Sequence, residues 1–321
     1  MRPFEFFTPS TISEAIRLLN KPHSYPLAGG TDLLGELKRG IRRVDRMVNL
    51  KAIPRLKKIV EGKMVRIGGL VTLAEIEEAP LFAKSFPLLS QAASLVASKQ
   101  LRNLGTLAGN LLQRPRCWYY RNAPFHCWLK GGRACFAIGG ENAYHAILGA
   151  GHCQAVHPSD LAPALIALDS EVEIVGPKGR RRIPLEALYR NPTERDRQVT
   201  LLKRNEIITA VLLNRPFKGS KGIFLKAGDR KAWSFALVSV AAFLILKGGK
   251  VSSLRLVLGG VAPYPWRVKE VEGFLEGKQP SEERIRRASE MALAKARPLK
   301  ENGYKIPLAK ALIEKALTSL L

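Results

Sequence analysis

Acidic residues are scarce in this chain. Aspartate and glutamate number 27 against 52 lysines and arginines, a formal net charge of +25 over 321 residues. Long apolar runs are missing too. The longest, WSFALVSVAAFLIL at 233–246, is too short to span a bilayer and reads as a buried segment. The first ten residues, MRPFEFFTPS, lack the basic, apolar and small-residue sections of a secretory signal, so a cytoplasmic protein is expected. Internal repeats and low-complexity tracts are absent, and a 46% apolar composition suffices for a core. Cysteine is sparse, and in a reducing compartment the four present read as metal ligands or redox groups before disulfides.

The excess of positive charge invites a nucleic-acid reading. The basic residues are scattered, however, and the densest runs, KGRRR at 178–182 and RIRR at 284–287, are short. No helix-turn-helix, finger or RNA-binding aromatic signature accompanies them, so nucleic acid is not the expected partner. The charge reads as a solvated surface, or as a face for an acidic protein such as a small electron carrier.

Periodicity divides the chain into units. TISEAIRLL at 11–19 has capping-box spacing and an apolar stripe, which predicts a helix. YPLAGGTDLLGELKRG at 25–40 reads as strand, glycine turn and helix, and RMVNL as a strand, giving a small α/β unit over 1–52. LKKIV and MVRIGG read as strands, FPLLSQAASLVAS and SDLAPALIALD as helices, and EVEIV-GPKG-RRRIPL as a hairpin. These fill a second unit over 53–215. From 216 to 321, strand-like runs precede helical ones, a separate α+β domain.

Two glycine turns have a ligand-binding character. In AGGTDLL, Gly29 and Gly30 permit positive φ and close backbone approach, Thr31 adds a hydroxyl, and Asp32 can cap the helix that follows. A helix start of this kind favours an anion. GTLAGN, with Gly105, Thr106, Gly109 and Asn110, repeats the arrangement. Two such turns suit one long ligand with two phosphates. GAGHCQ at 149–154 imitates a dinucleotide fingerprint, but Gln154 replaces its last glycine and Pro158 follows. No nucleophile–base pair or carboxylate dyad stands out.

LAGGTDLLGELKRG, LRNLGTLAGN and SDLAPALIALDSEVEIVG, with LGGVAPYPWRVKEVEGFLEGK at 258–278, together resemble the FAD-binding subunits of the xanthine dehydrogenase family of molybdenum hydroxylases. The resemblance implies an α+β protein with an FAD-binding fold of the vanillyl-alcohol-oxidase-like type. Two α/β subdomains would be followed by a C-terminal domain like that of carbon monoxide dehydrogenase flavoproteins. It implies that Leu27, Ala28, Gly29, Gly30, Thr31, Asp32 and Leu33 hold FAD from the first turn. Asn103, Gly105, Thr106, Ala108, Gly109 and Asn110 would do so from the second. Asp160 and Lys226 would lie near the flavin. Ala108 stands where the family has glycine, which costs about 1 kcal/mol if that position needs positive φ.

Cys117, Cys127, Cys135 and Cys153 all fall within residues 117–153. Random placement would gather them so closely less than about one time in a hundred. Spacing alone leaves zinc, an iron–sulfur cluster and metal-free thiols open, because no Cys-x-x-Cys occurs and His126, His145, His152 and His157 lie alongside. In the common family pattern the Ser-Asp motif follows the second turn closely. Here Asp160 is 50 positions beyond Asn110, which marks an insertion at about 113–156. That insertion resembles the one in flavin subunits of the 4-hydroxybenzoyl-CoA reductase type, and the resemblance implies a [4Fe–4S] cluster on the four cysteines. Trp118, Tyr119, Tyr120, Phe125 and Trp128 would shield it, or form the insertion's own small core, or both.

The function so implied is electron transfer within an oxidoreductase complex, beside a large molybdenum-cofactor subunit and a small [2Fe–2S] subunit. Ferredoxin or another acidic carrier would be the outside partner. One alternative is a FAD subunit of an aldehyde, xanthine or carbon monoxide dehydrogenase-like complex with no cluster in the loop. Another is a basic, zinc-stapled binding protein without flavin.

Overall fold

Short apolar runs separated by helices build the N-terminal unit as a parallel sheet. The computed structural model describes residues 2–321. Strand β1 (Glu5–Phe7), helix α1 (Ile12–Leu19), β2 (Ser24–Leu27), α2 (Leu33–Lys38) and β3 (Arg46–Asn49) give the sheet order β1-β3-β2. The Thr11 hydroxyl accepts the Glu14 amide at 3.2 Å, while the Glu14 carboxylate accepts the Ser10 amide, so the capping box forms one residue out of step.

The second unit is a five-stranded antiparallel sheet with helices on it. It runs through β4 (Ile59–Val60), β5 (Met64–Gly68), α3 (Leu73–Glu78), α4 (Pro80–Ser85), α5 (Pro87–Ser94), α6 (Lys99–Leu104) and α7 (Leu107–Leu111). After the insertion, which holds α8 (Trp118–Arg121), come α9 (Leu161–Ala167), β6 (Glu171–Gly176), β7 (Gly179–Pro184) and β8 (Ile207–Asn214). The order is β4-β5-β8-β6-β7. The expected hairpin is β6–β7, closed by Gly179 at φ +98°. LKKIV is less of a strand than its composition suggests, because Pro54 starts a 3-10 turn that runs to Lys57.

The last unit is an antiparallel sheet, β12-β11-β10-β9, from β9 (Lys221–Ala227), β10 (Val238–Lys247), β11 (Lys250–Gly259) and β12 (Trp266–Arg267). The longest apolar run of the chain supplies β10. Helices α10 (Lys269–Leu275), α11 (Glu282–Ala292) and α12 (Lys305–Thr318) cover the sheet. Among the described residues no helix is long and apolar enough to cross a membrane.

The insertion is clamped to this last unit. Asn142 and Glu301 exchange amide-to-side-chain hydrogen bonds at 2.8 and 2.9 Å. Asn302 donates to the carbonyls of His145 and Ala146. Lys305, fully buried, donates to the carbonyls of Tyr144 (3.1 Å) and Gly260 (2.8 Å). Burial holds its ammonium down to about 7, against 10.5 in the open chain. Between those values the unfolded chain carries one more proton than the folded one, so this group makes stability rise with pH. Urea unfolding at pH 7, 8 and 9 should show that rise, up to about 1.4 kcal/mol per pH unit, and Lys305→Met should flatten it. Parallel curves for the two proteins would refute the assignment.

Candidate functional site

The two glycine turns meet although some 75 residues lie between them. A Cβ built on Gly29 would stand 2.0 Å from the Leu104 carbonyl oxygen and 3.2 Å from the Gly105 Cα. The first turn therefore needs glycine for close approach at position 29, and for backbone conformation at Gly30, where φ is +75°. In the second turn the Thr106 hydroxyl accepts the Gly109 amide at 3.2 Å and starts α7. Ala108 lies within that helix and not in the left-handed region, so replacing glycine there carries no backbone penalty.

A cavity of about 940 Å³ opens beside the paired turns. Thr31, Asp32, Gly105, Gly109, Asn110 and Asp160 line it, while Lys226 stands behind Asp160 with its ammonium 2.6 Å from the carboxylate. Burial pushes the Asp160 carboxyl up, and the Lys226 ammonium works against that rise. Ser159, not Asp160, caps α9, its hydroxyl accepting the Ala162 amide at 3.0 Å. Asp32 does not cap α2 either. Its carboxylate is taken by the Arg114 amide (2.9 Å) and the guanidinium groups of Arg121 (2.8 Å) and Arg116 (3.0 Å), all from the insertion. Leu27 ends β2 and Asn103 lies in the last turn of α6, while Ala28, Gly29, Gly30, Leu33, Thr106 and Ala108 form the turns and helix starts that carry the lining residues.

Sequence reasoning missed the rest of the wall. Arg116, Trp118, Tyr144, His145 and His157 line it, and so do Trp233 and Phe235 from the β9–β10 loop. Trp233 and Ala97 both have left-handed backbone, at φ +52° and +49°, and the Trp233 amide donates to the Ala97 carbonyl at 3.0 Å across the mouth. For a bulky residue this conformation is strained. His157 packs edge-on against Tyr189, and burial holds its imidazole down to about 4, so it is neutral. No spacing rule points to any of these residues.

The residues fit a dinucleotide. The volume is that of a small-molecule site, the turns allow close backbone approach, and the Arg116 guanidinium stands on the wall beside the first turn. Comparison with known proteins shows the family. Residues 2–215 match the family described as the FAD binding domain in molybdopterin dehydrogenase, and residues 223–320 match the CO dehydrogenase flavoprotein C-terminal domain.

The chain belongs to this family.

Its relatives include the aldehyde oxidoreductase FAD-binding subunit PaoB of Escherichia coli, 36% identical, with 99% of this chain and 98% of that one covered. The carbon monoxide dehydrogenase medium chain of Hydrogenophaga pseudoflava is 27% identical over 98% of this chain and 96% of its own length. The solved carbon monoxide dehydrogenase of that organism superposes with a TM-score of 0.80 at 25% identity, covering 100% of this chain and 98% of that one. The expected α+β fold and the expected oxidoreductase flavoprotein family both stand.

The cysteine insertion is less simple. Cys117, Cys127, Cys135 and Cys153 are all free thiols and pack in one apolar cluster with Tyr119, Tyr120 and Trp128. Burial pushes the Cys153 thiol up to about 12, the Ala155 amide works against it, and the other three cysteines add to the rise. The Cys117 sulfur is 3.2 Å from His145 Nε2. Among the described residues, however, no group of three or more His, Cys, Asp or Glu side chains stands where it could hold a metal ion. The expected cluster thus has no preformed metal geometry behind it, and the FAD subunit without a cluster accounts better for what is seen. The aromatic residues are also corrected in part. Tyr119, Tyr120 and Trp128 belong to the insertion's core with Phe125 packed against it, whereas Trp118 is 61% exposed on the cavity side and is not part of that core.

Proposed function

We propose that this chain is the FAD-carrying electron-transfer subunit of a molybdenum-hydroxylase-type oxidoreductase, working beside a large molybdenum-cofactor subunit and a small [2Fe–2S] subunit. The single supporting observation is the continuous cavity that joins both glycine turns to the Asp160–Lys226 pair. FAD bound there would supply the redox chemistry, and substrate would react on the large subunit. The chain's own part is to bind and orient. The turns around Gly29 to Asp32 and Gly105 to Asn110 would take the pyrophosphate and ribityl region. Asp160, held by Lys226, would face the flavin. The basic surface suits an acidic carrier such as ferredoxin.

A second reading adds a [4Fe–4S] cluster on Cys117, Cys127, Cys135 and Cys153, and the gathering of four free thiols in one apolar pocket favours it. A zinc ion draws its four donors onto one point at about 2.3 Å. A four-iron cluster takes one thiolate at each corner and so accepts cysteines that stand farther apart. One anaerobic sample decides all the readings. Its absorption spectrum, with iron, zinc and acid-labile sulfide assayed together, should show FAD. Four iron and four sulfide per chain would add the cluster. FAD alone would leave the insertion a structural wall, and a folded but colourless protein would overturn the flavin reading.

A further inference from the structure

Arg116 is the insertion residue most oddly placed for a structural role. It lies on the cavity wall with Thr31, Asp32, Gly109 and Asn110. Its Nη2 is 3.0 Å from an Asp32 carboxylate oxygen and donates to Gln113 Oε1 at 3.1 Å. Its guanidinium lies 4.7 Å over the Phe235 ring, on the β9–β10 loop. The side chain is thus fixed from both sides of the cleft. Yet its Nε is buried without any partner.

The surroundings make that unmet valence more telling. The Asp32 oxygen that Arg116 approaches is shared with Arg121 at 2.8 Å. Arg114 stands close by, bonded to the Tyr120 hydroxyl, and Glu36 is already matched by Arg42 at 2.7 Å. Two guanidinium groups, Arg116 and Arg121, therefore share one Asp32 oxygen, while Arg114 gives that carboxylate only its backbone amide and Glu36 stands 3.9 Å from Arg121. Burial and the Arg121 charge both disfavour the Arg116 cation, with Asp32 opposing them. A second anion would relieve the site. Flavin and ribityl groups are uncharged, whereas the pyrophosphate of FAD is a dianion, and a guanidinium fork matches phosphate oxygens in geometry and charge.

We propose that Arg116 grips the pyrophosphate of FAD, so that the insertion completes the dinucleotide site beside the two glycine turns. The proposal rests on the flavin reading above and does not require a cluster. It explains why the insertion is bonded so heavily to the helix that follows the first turn.

The test is binding of FAD and of riboflavin, which lacks the phosphates, to the full chain stripped of flavin. Arg116→Gln should weaken FAD by about 10- to 100-fold, the range of a lost charge-assisted contact, and leave riboflavin within about twofold. Arg116→Lys should restore part of the loss, since it keeps the charge but not the fork. Unchanged FAD affinity overturns the proposal. So does an equal loss of riboflavin, which would place Arg116 at the flavin ring or in the fold itself. Should Arg116→Gln fail to fold, Arg116→Lys decides: several-fold weaker FAD with unchanged riboflavin supports the grip, and unchanged FAD refutes it. Failure of the unsubstituted chain to take up FAD would instead sink the flavin reading, and that outcome is seen without any substitution.

Discussion

Gly29→Ala is expected to strip the protein of flavin and to cost about 3 kcal/mol of stability or more. The new methyl would sit 2.0 Å from the Leu104 carbonyl oxygen and 2.8 Å from its carbon. Both obstacles are backbone, at the end of α6 where Gly105 closes the helix. No side chain can swing away, so one of the two turns must move, and overpacking against fixed atoms costs on the order of 1–3 kcal/mol even where some relaxation is possible. The displacement falls on the junction that builds the cavity wall. Gly35→Ala is the matched control. Gly35 lies inside α2 with nothing within 4 Å of its built Cβ, so alanine there should stabilise by about 0.5–1 kcal/mol. Flavin-to-protein ratio and urea unfolding on both variants separate the two effects. Full flavin occupancy in Gly29→Ala would show that the turn-to-turn contact is dispensable.

What the sequence disclosed was local. The β6–β7 hairpin, the helix start at Thr11 and the strand character of the 233–246 run follow from spacing and turn chemistry within a few residues. The meeting of the two glycine turns was legible too, because glycine beside a hydroxyl has a backbone purpose wherever it occurs. Partners fixed by tertiary structure were not legible. Asp32 looks like a helix cap until three insertion residues more than 80 positions away claim its oxygens. Nothing within a few residues of Asp160 names Lys226, 66 positions on, as its partner. The strained Trp233 and the cation Arg116 carry no local signal, since neither residue type predicts its backbone or its partner. The four cysteines lie between these cases. Their gathering in sequence foretold a gathering in space, but among the described residues no preformed group of three or more such side chains stands ready for a metal ion.

Lys226→Met should be the most damaging change on the other side of the cavity, and its cost should depend on pH. The Asp160 carboxylate is 4% exposed, and the lysine that faces it at 2.6 Å is nearly as buried. That lysine also donates to the Leu95 carbonyl at 2.9 Å, tying β9 to the segment after α5. Removing one partner of a buried pair leaves the other charge uncompensated, a loss of about 3–5 kcal/mol. The carboxyl is already pushed up from 3.8 by burial, and without the ammonium nothing holds it down. A carboxyl raised in the folded state contributes stability that is fully present below its unfolded value and is lost as pH rises through the folded one. The penalty in Lys226→Met should therefore be smaller at pH 5 than at pH 8. Adding Asp160→Asn, which removes the charge at nearly constant shape, should recover more than half of the stability and erase the pH dependence. A penalty equal at both pH values would mean that the lost Leu95 bond and packing dominate, and that Asp160 finds another cation. Because Asp160 lines the cavity while Lys226 stands behind it, flavin retention in the double variant separates the two roles. Flavin kept with stability restored makes the pair a support for the wall. Flavin lost with stability restored makes the Asp160 charge itself part of the grip on the cofactor.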